Sequence, residues 1–190
     1  MPRINNEKFY LSAFKTYGQT PRGVNWHSQE HQSMRFKAIL QLLPKDISRF
    51  TLGDAGCGFG DFYTFLQTKP KKYLGIDSLE MMQKVAIKRT GTQILLADIT
   101  KSTLPTMDYY LCSGALNILT PFETYQFIAN CYKASKKGFV FNALFGEKKS
   151  ATYNYMNKKQ IQDIATNLHV KKIAYKEDYL ENDISVGFFK

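Results

Sequence analysis

An apolar segment at residues 50–55 runs directly into Gly56-Cys57-Gly58-Phe59-Gly60, and Asp61 to Leu66 then opens a helix. Three alternate glycines between a strand and a helix allow a tight turn and close approach of a ligand to the backbone. The same rhythm continues downstream. Residues 72–76 read as a second strand, 79–88 as a helix, 93–97 as a third strand and 107–112 as a fourth. Thr120-Pro121-Phe122-Glu123 combines a Thr-x-x-Glu capping box with proline at the first helical position, so a helix starts there and runs to about Ala134. Residues 138–144 read as a fifth strand, and Asn157 caps a helix whose Ile161, Ile164, Ala165 and Leu168 keep helical spacing. Two closing strands, about 170–175 and 184–189, are too close in sequence for a parallel crossover and should pair antiparallel.

Strands alternating with helices imply an α/β fold, Rossmann-like and doubly wound. The expected sheet has seven strands, mostly parallel, with an antiparallel C-terminal pair and helices on both faces. Ahead of it, residues 6–16 and a segment from the N-cap Ser28 to Pro44 read as helices. In the second, Phe36, Ile39, Leu40 and Leu43 form one apolar face. The expected organisation is one domain over 1–190, with 1–45 as a helical cap and 50–190 as the core.

Ligands of such sheets bind outside the carboxyl ends of the strands, at the topological switch point. The dinucleotide fingerprint G-x-G-x-x-G sets pyrophosphate against a helix N-terminus. Here the spacing is G-x-G-x-G, and Asp61 stands where the third glycine would be. A carboxylate there repels phosphate. Asp77 ends the second strand and can accept from ribose hydroxyls, and Asp98 follows the third. Asp54, Asp61, Asp77 and Asp98 thus gather at one crevice, which suits a nucleoside carrying ammonium and sulfonium groups.

At Asp54-x-Gly56-Cys57-Gly58-x-Gly60, Asp77 and Asp98 the sequence resembles the class I S-adenosylmethionine-dependent methyltransferase family, with matching element order over roughly 50–145. The resemblance implies a methyltransferase that uses S-adenosyl-L-methionine. It implies that the loop of Ala55, Gly56, Cys57, Gly58 and Gly60, with Asp61 and Phe62, cradles the methionine part. Asp54 would lie near the amino group or an ordered water, and Asp77 at the ribose hydroxyls. Asp98 would approach the adenine amino group, flanked by Ala97 and Ile99 and with Ser78 and Met82 packed nearby. Met81 and Met82 read equally well as helix core.

The fourth strand breaks into Ser113-Gly114-Ala115-Leu116-Asn117, which in the family lies beneath the transferred methyl group. The Asn/Asp-Pro-Pro-Tyr/Phe motif of adenine and glutamine amino-methylating branches does not occur here. Asn117 reads either as a polar contact or as a cap on its own turn. The lead-in from Gly23 to Phe36 is similar to that of small bacterial methyltransferases of unassigned substrate. Within it Trp26 would wall the site or plug the core. Arg35 would pair with the cofactor carboxylate or with a surface carboxylate. His27 or His31 is open as a general base or as a solvated residue. His169 reads as structural, and the tail from Glu177 to Asp183 is given no chemistry.

The 190 residues carry a net charge of +10, spread over lysine pairs at strand and helix ends. That reads as a solvated surface, with nucleic acid as the alternative partner. The expected acceptor is a small molecule. An RNA-directed methyltransferase, a non-catalytic RNA-binding module and an NAD-dependent oxidoreductase are the rivals. Cys57, Cys112 and Cys131 are odd in number and widely spaced, so packing is the reading, with no disulfide framework and no metal. No run of 18 apolar residues and no apolar leader occur, so the expectation is a cytoplasmic protein away from membranes.

Overall fold

The computed structural model describes residues 3–24 and 28–190. Two helices lead, α1 (Asn6–Tyr17) and α2 (Gln29–Leu42). The alternation follows: β1 (Thr51–Ala55), α3 (Asp61–Phe65), β2 (Lys72–Asp77), α4 (Glu80–Thr90), β3 (Gln93–Leu96), β4 (Met107–Cys112), α5 (Pro121–Ala134) and β5 (Ser135–Phe145). The chain closes with β6 (Tyr155–Met156), α6 (Lys158–Asn167), β7 (Lys172–Lys176) and β8 (Asp183–Phe189). The strand order is β3-β2-β1-β4-β5-β8-β7. β1 to β5 pair in parallel, and β8 runs antiparallel to both of its neighbours. The order reverses between β1 and β4, which opens a crevice at their carboxyl ends.

The expected seven-stranded sheet gains an eighth member. β6 adds two residues parallel to the end of β5, pairing Leu144 with Tyr155 and Phe145 with Met156. Two residues cannot display a period-two pattern, so nothing in the sequence marks them as a strand. β5 also starts three residues before the expected boundary, because Ser135 already pairs with Met107.

Side chains alternate across the sheet and feed a core on each face. Phe139, Phe141 and Phe188 join Phe127 and Ile128 of α5 and Ile161 and Ala165 of α6 on one side. Leu52, Leu111 and Val140 join Phe36 and Ile39 of α2 and its C-cap Leu43 on the other, with Phe62 of α3. The anticipated caps form. Ser28 accepts from the His31 amide, and Asn157 makes a reciprocal box with Gln160. At α5 the Thr120 hydroxyl accepts from Glu123 N–H at 3.3 Å, and the Glu123 carboxylate accepts from Thr120 N–H at 3.1 Å. The lysine pairs Lys71-Lys72, Lys136-Lys137 and Lys171-Lys172 stand where β2, β5 and β7 begin, at the end of the sheet away from the crevice.

Thr120→Ala removes one half of that box. It should lower stability by about 1 kcal/mol, read as a drop in the urea midpoint with unchanged slope.

Candidate functional site

The glycine loop is shaped by β2. Gly56 and Cys57 N–H both donate to the Ile76 carbonyl, at 2.8 and 3.0 Å. Gly58 N–H donates to Asp77 Oδ2 at 2.9 Å, and Gly60 N–H to the Cys57 carbonyl at 2.9 Å. These four amides are therefore spent inside the protein. A pyrophosphate-binding loop needs its N–H groups turned toward the ligand. Gly56 sits at φ +75°, and a Cβ there would lie 2.5 Å from Ala115 Cβ in the turn after β4. Gly60 has the same φ, but its Cβ would strike Thr90 Cγ2 at 2.4 Å. Its hydrogen serves packing of the loop on α4.

A cavity of about 1150 Å³, open solvent at its mouth included, lies over the carboxyl ends of β1, β2 and β4. Its lining contains Asp54, Gly56, Cys57, Gly58, Asp61, Phe62, Asp77, Ser78, Met82, Ala97, Asp98, Ile99, Ser113, Gly114, Asn117 and Arg35. So most of the residues singled out from sequence converge on one space. Two do not reach it. Ala55 is fully buried in the core, because it ends β1 facing the α5 side, and Gly60 faces α4. Trp26 and His27 lie outside the described residues. His31 is absent from the lining, and His169 stands at φ 52° in the turn between α6 and β7. Met82 both lines the cavity and packs with Phe59 and Val85, whereas Met81 only packs.

The carboxylates differ in their surroundings. Asp54 is buried and accepts from the Tyr73 hydroxyl at 2.5 Å. Burial pushes its carboxyl up to about 7, with Asp77 and Asp61 adding to the rise and the Tyr73 bond opposing it. Asp77 is also raised by burial, against bonds from Leu79 and Gly58 amides that favour its charged form. Asp61 is held by Arg89 at 2.7 Å and by the Gln32 amide at 3.1 Å. Asp98 is half-exposed and takes Thr100 Oγ1 at 2.7 Å and Lys101 at 2.9 Å, which hold it below the usual carboxylate range despite partial burial. Asp54 and Asp77 are thus satisfied by neutral donors, Asp61 and Asp98 by cations.

Arg35 pairs with a carboxylate of the chain itself. Its Nε donates to Asp183 Oδ1 at 2.7 Å and its Nη2 to Asp183 Oδ2, a bidentate pair across the fold. Arg35 lines the cavity and is engaged by β8. The tail segment assigned no chemistry supplies that partner. It also supplies Tyr179, whose hydroxyl meets Ser185 Oγ at 2.9 Å. Tyr10, Phe9 and Asn6 of α1 line the cavity as well, and burial drives the Tyr10 phenol far above its usual value, so it stays protonated. Asn117 Oδ1 accepts from Leu144 N–H at 3.3 Å and so ties its turn to β5. All three cysteines are buried free thiols raised by burial, which suits packing. Among the described residues no group of three or more His, Cys, Asp or Glu could hold a metal ion, and no helix is long and apolar enough to cross a membrane.

The family described as a methyltransferase domain matches residues 53–138, which span β1 to the start of β5. Over those residues the chain is similar to a methyltransferase domain. A curated relative, malonyl-[acyl-carrier protein] O-methyltransferase of Hamiltonella defensa, is 29% identical over 118 residues. That match covers 60% of this chain and only 46% of the relative, so it spans about half the relative's length. Among solved structures, magnesium protoporphyrin IX methyltransferase of Synechocystis, with bound S-adenosylhomocysteine, superposes with a TM-score of 0.70 at 12% identity, covering 85% of this chain and 84% of that one. An S-adenosylmethionine-dependent methyltransferase of Leishmania major gives 0.70 at 17% identity over 96% and 82%. At these identities the superpositions speak for the fold of the methyltransferase domain.

Asp54 sets a pH dependence. Its folded value near 7 exceeds the unfolded value of about 3.9. Between these, the folded state holds a proton that the unfolded state has lost, so this group makes the protein less stable as pH rises from 4 to 7. Asp54→Asn should therefore raise the urea midpoint at pH 8 and flatten its change between pH 8 and pH 5.5. Equal slopes in both proteins would contradict the assignment.

Proposed function

We propose that this chain is a methyltransferase that transfers a methyl group from S-adenosyl-L-methionine to a small-molecule acceptor. One observation carries the reading. Asp54 and Asp77 are buried carboxylates satisfied by neutral donors, at a crevice whose loop amides are already spent. Such a site favours a ligand with positive centres and a ribose diol over one with pyrophosphate.

The remaining lone pairs of Asp77 would accept from the ribose hydroxyls. Ser78, Met82 and the backbone of Ala97 and Ile99 would border adenine, with Asp98 at its amino group. Asp54, Gly56, Cys57, Gly58, Asp61 and Phe62 would surround the methionine part. The backbone of Ser113 and Gly114, with Asn117, would border the end where the methyl group departs. S-adenosylmethionine brings an activated methyl on a sulfonium, which an acceptor lone pair takes in line. The chain therefore has mainly to position two partners and exclude water. Phe9 and Tyr10 of α1 cover the cavity, which supports 1–45 as a cap on a 50–190 core.

A small acceptor is favoured over RNA because no lysine lines the cavity and three lysine pairs begin β2, β5 and β7 at the far end of the sheet, whereas Lys148-Lys149 and Lys158-Lys159 follow β5 and β6. Three buried free thiols are consistent with a reducing, cytoplasmic setting.

Titration calorimetry tests the reading. S-adenosylhomocysteine should bind and NADH should not. Asp77→Asn should weaken S-adenosylhomocysteine by about tenfold, near 1.4 kcal/mol, with the fold checked by circular dichroism. Tight NADH binding without S-adenosylhomocysteine binding would overturn the proposal.

A further inference from the structure

At the end of β4 the cavity wall is backed by a chain of hydrogen bonds. Ser113 lines the cavity, and its hydroxyl donates to Asn142 Oδ1 at 2.7 Å. Asn142 Nδ2 donates to Ser185 Oγ at 2.6 Å and points at the Arg35 carbonyl at 3.4 Å. A carbonyl oxygen only accepts, so the amide is fixed with its nitrogen toward Arg35 and its oxygen toward Ser113. Ser185 Oγ donates to the Tyr179 oxygen at 2.9 Å, which also lies 3.4 Å from Asn142 Nδ2. The Asp183 carboxylate, within electrostatic reach of Tyr179, is gripped by Arg35. Asn142 is 1% exposed and Ser185 fully buried, so water does not reset these directions. Every proton in the chain runs away from the cavity. Ser113 has none left to offer a ligand and presents only lone pairs.

The charges agree. Of the Arg and Asp side chains lining the cavity, Arg35 is held by Asp183, Asp61 by Arg89 and Asp98 by Lys101. Asp54 and Asp77 remain, set against a cofactor whose ammonium, sulfonium and carboxylate sum to a single positive charge. With Arg35 engaged by Asp183, an anionic acceptor would meet the Asp77 carboxylate and no lysine in the lining. Phe9, Tyr10 and Tyr153 line the same cavity, and Tyr10 lies within electrostatic reach of Asp77, Cys112 and Tyr153. Their rings offer faces to a flat ring or a cation.

We propose that the acceptor taken beside Ser113 is an arylalkylamine, whose N–H donates to Ser113 Oγ, and that carboxylate and phosphate acceptors are refused. The inference rests on the methyltransferase reading and narrows it. In the step, the lone pair of the neutral amine forms the nitrogen–carbon bond as the carbon–sulfur bond breaks. An ammonium acceptor first releases one proton to water at the cavity mouth to free that lone pair; the electron pair of the broken bond stays on sulfur, and the product leaves as the methylated ammonium.

The test uses the full chain saturated with S-adenosylhomocysteine, titrated with tyramine and with its acidic counterpart 4-hydroxyphenylacetate. Tyramine should bind more tightly by about tenfold or more. Ser113→Ala should weaken tyramine by about fivefold while S-adenosylhomocysteine affinity stays within about twofold, and Ser113→Thr, which keeps the hydroxyl, should restore it. Binding of the acid as tight as that of tyramine, binding of neither, or no effect of Ser113→Ala overturns the inference and leaves the methyltransferase reading standing. Failure of S-adenosylhomocysteine to bind at all overturns both.

Discussion

The Asp77 carboxylate is the brace on which the site depends. One oxygen takes the Gly58 amide from the glycine loop, and the other takes the Leu79 amide where α4 begins. A single side chain at the end of β2 thus fixes both the loop after β1 and the helix after β2. The parallel register of the two strands brings Asp54 beside Gly75 and Ala55 beside Ile76. There the Ile76 carbonyl can collect two more loop amides. A side chain at Gly75 would break this arrangement, because its Cβ would come within 3.0 Å of Cys57 Sγ and 2.5 Å of Ile94 Cδ1.

Holding the loop in this way has an electrostatic consequence. The amides that would welcome an anion are consumed, while two carboxylates stay buried without a cation. Burial of an ionised group is unfavourable, and the protein responds by raising both carboxyls. A ligand that brings positive charge relieves the penalty. Under the proposed function, affinity for S-adenosylmethionine would be prepared by these buried carboxylates in the unliganded fold. The other charged groups around the cavity, Arg35, Asp61 and Asp98, are neutralised by the protein itself.

Much of this was legible in the sequence. The central strands are buried on both faces and read as apolar runs, and the caps at Ser28, Thr120 and Asn157 are local signals. Asp77 and Asp98 announced themselves by ending two successive strands. What escaped notice is long-range. Arg35 meets a carboxylate 148 residues away, and no local pattern says that β8 will bring Asp183 beneath α2. Tyr10, Asn142 and Ser185 matter through neighbours from other elements. Asn142 and Ser185 look like ordinary polar positions in two closing strands until their register is known. Gly60 was legible as part of a motif, but its reason, contact with Thr90, lies in α4.

The most direct test of the central claim is a crystal structure with S-adenosylhomocysteine bound. The account predicts both ribose hydroxyls on Asp77, the ammonium in the field of Asp54, and the sulfur facing the wall from Ser113 to Asn117. A ligand bound elsewhere, or a dinucleotide whose pyrophosphate draws the Gly56–Gly60 amides away from β2, would contradict it.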